Sequence, residues 1–221
     1  MKPLGDPPYI CLITEGAANS ANFQLETTRI LATVSDAVSD GVNMIQIREK
    51  ELPARLLFDL VRRAVDVVRD TPAIVVVNDR ADIAIAAGAD GVHLRESSLP
   101  PAVVRQRFLR ELVVGVSTHS FSAAKSAASS GADYIVVGPV FESPGKGPPI
   151  AESELMRVYL ELNGFPVLAL GGVDAENVVT VLNAGASGVA AIRSLNDQDA
   201  RRQICEAIAS YYPTSLEYRH G

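Results

Sequence analysis

The sequence predicts a (β/α)8 barrel, the TIM-barrel fold, from three observations. Short apolar runs alternate with amphipathic or alanine-rich stretches along the whole chain, a pattern typical of βα units with a parallel sheet covered by helices. Eight such units can be counted in 221 residues, and eight units in about 200 to 250 residues fit this barrel. A glycine motif also recurs ahead of several apolar runs. We therefore predict one α/β domain over residues 1–221, with a flexible tail at 213–221.

Each predicted strand is a short apolar run bounded by polar residues or glycine. An open, doubly wound sheet is the alternative arrangement, because hydrophobic periodicity does not show whether a sheet closes. No Gly-x-Gly-x-x-Gly motif opens the chain to favour that alternative. The predicted strands are Tyr9–Thr14, Asn43–Arg48, Ala73–Val77, Gly91–Leu94, Val113–Ser117, Tyr134–Val137, Val167–Leu170 and Gly188–Ile192.

Helix boundaries are also legible in the sequence. Helices are predicted to begin after Pro53, at Pro100-Pro101, after Ser120 and after Asp174, since proline, serine and aspartate favour the first positions of a helix. Glycine can adopt the left-handed conformation that closes a helix. Such glycines precede four of the strands, at Gly41, Gly88, Gly131 and Gly185.

Composition excludes several classes of protein. The net charge is −6, and no basic cluster is larger than Arg62-Arg63 or Arg201-Arg202, so we expect neither nucleic acid nor a membrane surface as a partner. No stretch approaches the roughly 18 apolar residues of a membrane span, and the first residues lack an apolar signal core, so we expect a cytoplasmic protein. Cys11 and Cys205 lie far apart without ligand spacing, and we expect two buried, reduced thiols.

Gln46, Arg48 and Lys50 are the most informative residues of the chain. They alternate at the end of the second predicted strand, and alternate residues of a strand share a face. If that face points into the barrel, an amide, a guanidinium and an ammonium group converge. This combination suits a polyanion such as pyrophosphate.

Polar residues follow the other strands as well, at the rim where such barrels carry their active sites. Asp79 could bind Mg2+ there, or Asn78 and Asp79 could simply cap the third helix. Charged residues at strand ends are also often solvated or ion-paired. The rim set comprises Asn78, Asp79, Arg80, His93, Arg95, Ser117, His119, Ser143, Lys146, Gly171, Gly172, Arg193 and Ser194. Together these residues indicate a site for phosphorylated ligands.

His119 is the histidine best placed to act as an acid or base, although an idle, hydrogen-bonded histidine is an equal alternative. His93 lies inside a strand and His220 in the terminal tail, so we expect neither to be catalytic. The segment 142–149 is too rich in glycine and proline for a helix. It is either a mobile lid that carries Lys146 or a long surface connection.

Eight motifs follow one another along the chain: Gln46-Ile-Arg-Glu-Lys50, Val77-Asn-Asp-Arg80, Asp90-Gly-Val-His-Leu94, Gly115-Val-Ser-Thr-His119, Gly131-Ala-Asp-Tyr134, Gly138-Pro-Val-Phe141, Lys146 and Ala169-Leu-Gly-Gly-Val173. No single motif is diagnostic, but their order along the chain is a strong signal. In these motifs the chain resembles the thiamine-phosphate synthases and their TenI-like relatives over nearly its full length.

The resemblance implies an enzyme that couples 4-amino-5-hydroxymethyl-2-methylpyrimidine diphosphate to a thiazole phosphate and releases pyrophosphate, with Mg2+ as helper. In this family, the departure of pyrophosphate generates a cation at the pyrimidine methylene carbon. The thiazole nitrogen then captures this cation. Catalysis is expected to involve Lys50, Lys146 and His119. The implied ligand contacts are Gln46, Arg48, Lys50, Asn78 and Lys146 for the diphosphate, Asp79 for Mg2+, Ser117 for the pyrimidine, and Gly171, Gly172 and the backbone near Ile192 for the thiazole phosphate.

Three positions depart from the synthase pattern. Ser98 stands where a second metal-binding aspartate is usual, and Glu96 nearby is the candidate substitute. Ser143 and Gly145 replace threonines before Lys146, followed by the Gly-Pro-Pro typical of TenI-like proteins. Arg193 stands where a serine near the thiazole phosphate is usual.

Synthase activity is the leading hypothesis, because Lys50, Asp79 and Lys146 are all present. A TenI-like thiazole tautomerase, with His119 as base and without metal, is the second. A catalytically silent barrel that binds thiamine phosphate is the third. A sugar-phosphate isomerase is disfavoured because the rim lacks a pair of opposed carboxylates. A homo-oligomer is compatible with the sequence.

Overall fold

A computed structural model describes residues 1–108, 111–143, 147–162 and 164–212. Eight parallel strands close into a barrel in the order β1 to β8, so the predicted barrel is confirmed and the open sheet is excluded. The strands are β1 Tyr9–Ile13, β2 Met44–Ile47, β3 Ile74–Asn78, β4 Gly91–Leu94, β5 Val113–Thr118, β6 Tyr134–Val137, β7 Val167–Leu170 and β8 Gly188–Ala191. The tail at 213–221 lies outside the described residues.

Helices follow the strands and cover the outside of the barrel. Ser120 caps its helix as predicted, with Oγ accepting the Ala123 N–H at 3.3 Å. Asp174 also precedes its helix as predicted: Oδ1 accepts the N–H groups of Glu176 and Asn177 at 3.0 Å, and the carbonyl accepts the N–H of Val178, the first residue of the helix. The helices are α1 Phe23–Ser39, α2 Ala54–Val67, α3 Ala81–Ala87, α4 Pro101–Arg107, α5 Phe121–Ser129, α6 Glu152–Glu161, α7 Val178–Asn183, α8 Arg193–Asn196 and α9 Gln198–Tyr211.

The four repeated glycines ahead of strands all adopt positive φ, between 74° and 109°. This is the conformation predicted for them from the sequence. In each case the chain turns out of a helix and enters the next parallel strand within a few residues.

Two apolar layers stabilise the barrel. One lies between the sheet and the helices, and the other fills the barrel interior, where Tyr134 is fully buried. Gly115 makes room for it, since a Cβ atom at that position would lie 2.0 Å from the Tyr134 ring. Cys11 and Cys205 are buried free thiols, as predicted. Among the described helices, none is long and apolar enough to cross a membrane.

Arg201 of α9 is buried against Asp40, which ends α1. Arg201 Nε donates to Asp40 Oδ2 at 2.8 Å, and Nη1 donates to the Leu195 carbonyl at 3.1 Å. The neighbouring Arg202 contacts the other oxygen of Asp40 at 3.1 Å, but its side chain is 54% exposed, against 2% for Arg201. Burial raises the pKa of Asp40, but hydrogen bonds from the two arginines outweigh it and hold this pKa below its usual value. The pair therefore stabilises the junction of the first and last helices.

Replacing Asp40 by alanine should destabilise the protein by about 3–5 kcal/mol, because it leaves the buried Arg201 charge unpaired. Arg202→Ala, which removes an exposed partner of the same carboxylate, should cost no more than about 1 kcal/mol. Denaturant unfolding of both variants measures the difference. Because the folded-state pKa of Asp40 is lowered, its contribution should be present above the ordinary carboxyl range and disappear as the pH falls through that lowered pKa. Equal losses in the two variants would contradict this assignment.

Candidate active site

A cavity of about 590 Å3, called here the diphosphate cavity, opens at the carboxyl ends of the strands. Inward-facing strand residues form its floor, because successive side chains of a strand point alternately into and out of the barrel. Nine residues predicted from the sequence meet there: Gln46, Arg48, Lys50, Asn78, Arg95, Glu96, Ser117, His119 and Ile192. Ile13, Ser97 and Leu170 complete the lining.

Gln46 lies at the floor of this cavity and has a buried, unpaired acceptor. Its side chain is buried, and Nε2 donates to Asn78 Oδ1 at 3.2 Å. Its Oε1 has no hydrogen-bond partner among the described residues. A buried acceptor without a partner is costly. A ligand that brings an N–H or O–H donor would satisfy this acceptor once the Gln46 amide turns toward the cavity.

Arg48 and Lys50 reach the cavity from the loop after β2, because the strand ends at Ile47, one residue before the predicted end. The backbone N–H of Arg48 donates to the Thr14 side chain, at 2.8 Å from Oγ1, and not to a neighbouring strand. Between them, the buried Glu49 carboxylate accepts the N–H groups of Gly16 and Ala18 at 3.0 and 2.8 Å. These bonds fold the loop over β1 and direct both cations toward the cavity.

Within the described part of the chain, neither Arg48 nor Lys50 forms an ion pair, because no acidic oxygen lies within 4.0 Å of either. The pKa of Lys50 is lowered, first by the charge of Arg48, then by burial and by the charge of Arg95, with Asp79 acting in the opposite direction. Uncompensated positive charge of this kind favours an anionic ligand.

A buried network positions Ser117. His93 Nε2 lies 2.8 Å from Ser117 Oγ, and His93 Nδ1 lies 3.0 Å from the Tyr134 hydroxyl. Burial lowers the pKa of His93 to about 4, so the ring is neutral at physiological pH. His93 is buried in the barrel interior. Its role is to orient the Ser117 hydroxyl at the cavity wall.

His119 has one ring nitrogen hydrogen-bonded, and the other has no partner among the described residues. Nδ1 lies 2.6 Å from the Gly138 carbonyl, and since a carbonyl can only accept, Nδ1 carries a proton. In the neutral ring, Nε2 is then a free base. The backbone N–H of His119 donates to Glu96 at 3.1 Å, which engages the carboxylate predicted as a metal ligand.

Asp79 lies beside the diphosphate cavity, in an adjoining cavity that Lys50, Asn78 and Arg95 also line. Both carboxylate oxygens accept hydrogen bonds. Oδ1 accepts from Ser98 Oγ at 2.5 Å and from the Arg95 N–H at 3.1 Å, while Oδ2 accepts from Arg95 Nε and from Asn78 Nδ2. Burial raises the pKa of Asp79, but these bonds from Ser98 and Arg95 outweigh it and lower that pKa overall.

A second cavity of about 390 Å3, called here the phosphate cavity, lies between the ends of β7 and β8. Gly171 and Gly172 form its base with φ values of 100° and 68°. The backbone N–H groups of Gly172 and Val173 have no acceptor among the described residues. Arg193 lies at the rim, where Nη2 donates to Ser143 Oγ at 3.3 Å. Backbone donors and a guanidinium at this end of a barrel suit a phosphate group.

The two cavities are neighbours, since Leu170 and Ile192 line both. The family model for thiamine monophosphate synthase matches residues 10–195, most of the barrel. The chain belongs to the thiamine monophosphate synthase family. The family resemblance predicted from the motifs is thereby confirmed.

Individual relatives agree with this membership. A thiamine-phosphate synthase of Gloeobacter violaceus is 40% identical over 167 residues, which are 75% of this chain and 49% of that protein. One of Moorella thermoacetica is 39% identical over 168 residues, 75% of this chain and 80% of that protein. Among solved structures, a thiamine phosphate pyrophosphorylase from Pyrococcus furiosus superposes with a TM-score of 0.79 at 27% identity, covering 91% of this chain and 96% of the other.

Most of the residues predicted from the sequence lie at one of the two cavities. Ser143, Gly171, Gly172 and Arg193 line the phosphate cavity as a group. Lys146 lies outside the described residues. Glu49 and the contact of Arg95 with Asp79 were missed, because a charged residue at a strand end looks the same in sequence whether it is solvated, paired or structural.

Gly172→Ala should distort the phosphate cavity. A Cβ atom there would lie 2.5 Å from the Glu142 carbonyl oxygen and 2.7 Å from Phe141 Cβ, at a positive φ. We expect a loss of roughly 1–3 kcal/mol in stability, measured by denaturant unfolding, together with weaker phosphate binding in calorimetry. Gly5→Ala is the control, since nothing lies within 4 Å of its Cβ position. Unchanged stability and phosphate affinity in Gly172→Ala would refute the assignment.

Proposed function

We propose that the protein couples 4-amino-5-hydroxymethyl-2-methylpyrimidine diphosphate to a thiazole phosphate, forming thiamine phosphate and releasing pyrophosphate. The supporting observation is the pair of adjacent anion-binding cavities that share Leu170 and Ile192. A coupling enzyme must hold two phosphorylated substrates side by side with their reacting atoms in line. The family and the names of its relatives point to the same reaction.

The diphosphate cavity supplies what the departure of pyrophosphate requires. Negative charge develops on the leaving group as its bond to the pyrimidine methylene carbon breaks. Unpaired cations held in place before the reaction stabilise that charge without reorganisation. In this proposal Arg48 and Lys50 contact the diphosphate, and the pyrimidine methylene cation is captured by the thiazole nitrogen.

The pyrimidine half would lie over Gln46 and Ser117. The exocyclic amino group of this substrate is an N–H donor, which matches the unpaired Oε1 of Gln46. Assigning Gln46 to the pyrimidine revises the interpretation from sequence, in which Gln46 binds the diphosphate. An acceptor oxygen facing phosphate oxygens would repel them.

The thiazole phosphate would occupy the phosphate cavity. The N–H groups of Gly172 and Val173 and the guanidinium of Arg193 would bind its oxygens, while Ser143 holds the guanidinium through the 3.3 Å contact. Glu142 and Asp174 also line this cavity. Arg193 is the only cation among the described residues that line the cavity. Its charge is therefore needed for this cavity to attract an anion.

Purified protein given both substrates should form thiamine phosphate and release an equal amount of pyrophosphate. Lys50→Met should lower kcat by on the order of 10²- to 10³-fold, the usual effect of removing one group that stabilises developing charge. Lys125→Met is the control, because Lys125 is exposed on α5 above the Phe121 ring. Product detection by chromatography gives the rate. No product at high enzyme concentration would reject the proposal.

A second candidate function is the tautomerisation that aromatises a thiazole carboxylate phosphate, with His119 transferring the proton. The supporting observation is the Nδ1 contact with Gly138, which leaves Nε2 as a free base in the neutral ring at the cavity wall. Under this alternative, His119→Ala abolishes tautomerisation. Under the coupling function, it only weakens thiamine phosphate formation.

Assaying wild type and His119→Ala with both sets of substrates therefore separates the two functions. We expect coupling in the wild type and a reduced but measurable rate in the variant. Tautomerisation without coupling would favour the second candidate. Binding of thiamine phosphate in calorimetry, with neither reaction, would identify a silent binding barrel. The cytoplasmic location and a homo-oligomer stay predictions from the sequence.

A further inference from the structure

The side chains present do not fit a Mg2+ ion held by Asp79 and Glu96. Both oxygens of Asp79 already accept hydrogen bonds, two of them from Arg95 and one from Ser98. Glu96 accepts the His119 N–H instead. Across the described ranges, no group of three or more His, Cys, Asp or Glu side chains could hold a metal ion. The position expected to hold a divalent cation is occupied by a guanidinium.

We propose that Arg95, anchored by Asp79, takes the place of the metal ion and binds the diphosphate directly, so that this site holds pyrophosphate without a divalent cation. The inference rests on the proposed function, since it concerns how the same diphosphate is bound. It adds Arg95 to the ligand-binding residues. It also changes the role of Asp79 from metal ligand to positioning residue.

The hydrogen bonds of Arg95 leave its terminal groups available. Asp79 binds Nε and the backbone N–H of Arg95. The two terminal NH2 groups have no partner among the described residues, and the side chain is 57% exposed. A guanidinium held at Nε presents its outer nitrogens in a fixed plane, which matches the geometry of phosphate oxygens.

Arg95 also faces the same space as the other two cations. It lines the diphosphate cavity together with Arg48 and Lys50. The charge of Arg95 contributes to the lowered pKa of Lys50, so the two cations are close enough to interact. Three cations against the two carboxylates of Asp79 and Glu96 leave an excess of positive charge. A diphosphate supplies the compensating charge that neither Asp79 nor Glu96 provides.

The backbone at Asp79 is built for this anchoring role. Asp79 has a φ of 57°, and no other non-glycine residue in the described ranges has a positive φ. Its N–H donates to the His93 carbonyl at 2.9 Å, which links the end of β3 to β4. This conformation is uncommon outside glycine and persists where surrounding contacts over-determine it. Here it directs the carboxylate across to Arg95 and Ser98 in the loop after β4.

Ser98 completes the arrangement. Its hydroxyl donates to Asp79 Oδ1 at 2.5 Å and accepts the Arg95 N–H at 3.2 Å. A carboxylate at this position would place a second negative charge beside Asp79 and would require a cation between them. A hydroxyl needs none. The substitution of serine for the expected aspartate and the presence of Arg95 are therefore two parts of one arrangement.

Calorimetric titration with inorganic pyrophosphate tests the inference. Wild type should bind pyrophosphate in EDTA, and adding Mg2+ at equal free pyrophosphate should change the affinity by less than about threefold. Arg95→Gln should weaken binding in EDTA by on the order of 10- to 100-fold, the loss expected for a charge-assisted hydrogen bond. Arg63→Gln removes the same charge from the surface of α2, where Arg63 pairs with Asp59 at 2.7 Å. This control should bind like wild type.

Pyrophosphate binding that requires Mg2+, or an Arg95→Gln variant that binds like wild type, would overturn the inference. Turnover assays in EDTA and in Mg2+ separate it from the proposed function. Thiamine phosphate formed only with Mg2+ would uphold the function and overturn the role of Arg95. Pyrophosphate bound through Arg95 in EDTA, with no coupling under any condition, would uphold this site and reject the function.

Discussion

Pairing between β1 and β8 is the constraint on which the rest of the structure depends. Tyr9 to Leu12 pair with Gly188 to Ala191 in parallel register. Close approach at this seam needs a glycine, because a Cβ atom on Gly188 would lie 2.0 Å from the Tyr9 carbonyl oxygen. Closure brings Ile13 and Ile192, from opposite ends of the chain, into one cavity wall. An open sheet would separate Leu170 and Ile192 from the Ile13 side of the diphosphate cavity.

The barrel illustrates which features local sequence determines. The observed bounds of β4, β6 and β7 are those predicted from the apolar runs, because each run is followed by glycine or by a polar residue. The end of β2 does not, since the Arg48 N–H bonds to Thr14, which lies 34 residues earlier. Closure itself was not determined by periodicity. It depends on a register between residues almost 180 positions apart.

The candidate site shows the same division. Alternation at the end of β2 placed Gln46, Arg48 and Lys50 in one cavity, although the last two lie on a loop. The hydrogen-bond partner of each side chain could not be predicted from this alternation. Two features depend on side-chain contacts across strands and on the positive φ of Asp79. They are the unpaired acceptor of Gln46 and the hydrogen bond from Arg95 to Asp79. Such contacts leave no periodic signal.

The central claim is that two phosphorylated groups lie side by side in two neighbouring cavities, with a guanidinium where a metal ion is expected. A crystal structure of the protein with thiamine phosphate, pyrophosphate and Mg2+ tests this most directly. We expect the thiamine phosphate group at Gly172 and Arg193, and pyrophosphate on Arg48, Lys50 and Arg95 with no ion bound to Asp79. Both anions in one cavity, or a Mg2+ ion bridging Asp79 and pyrophosphate with Arg95 displaced, would contradict the account.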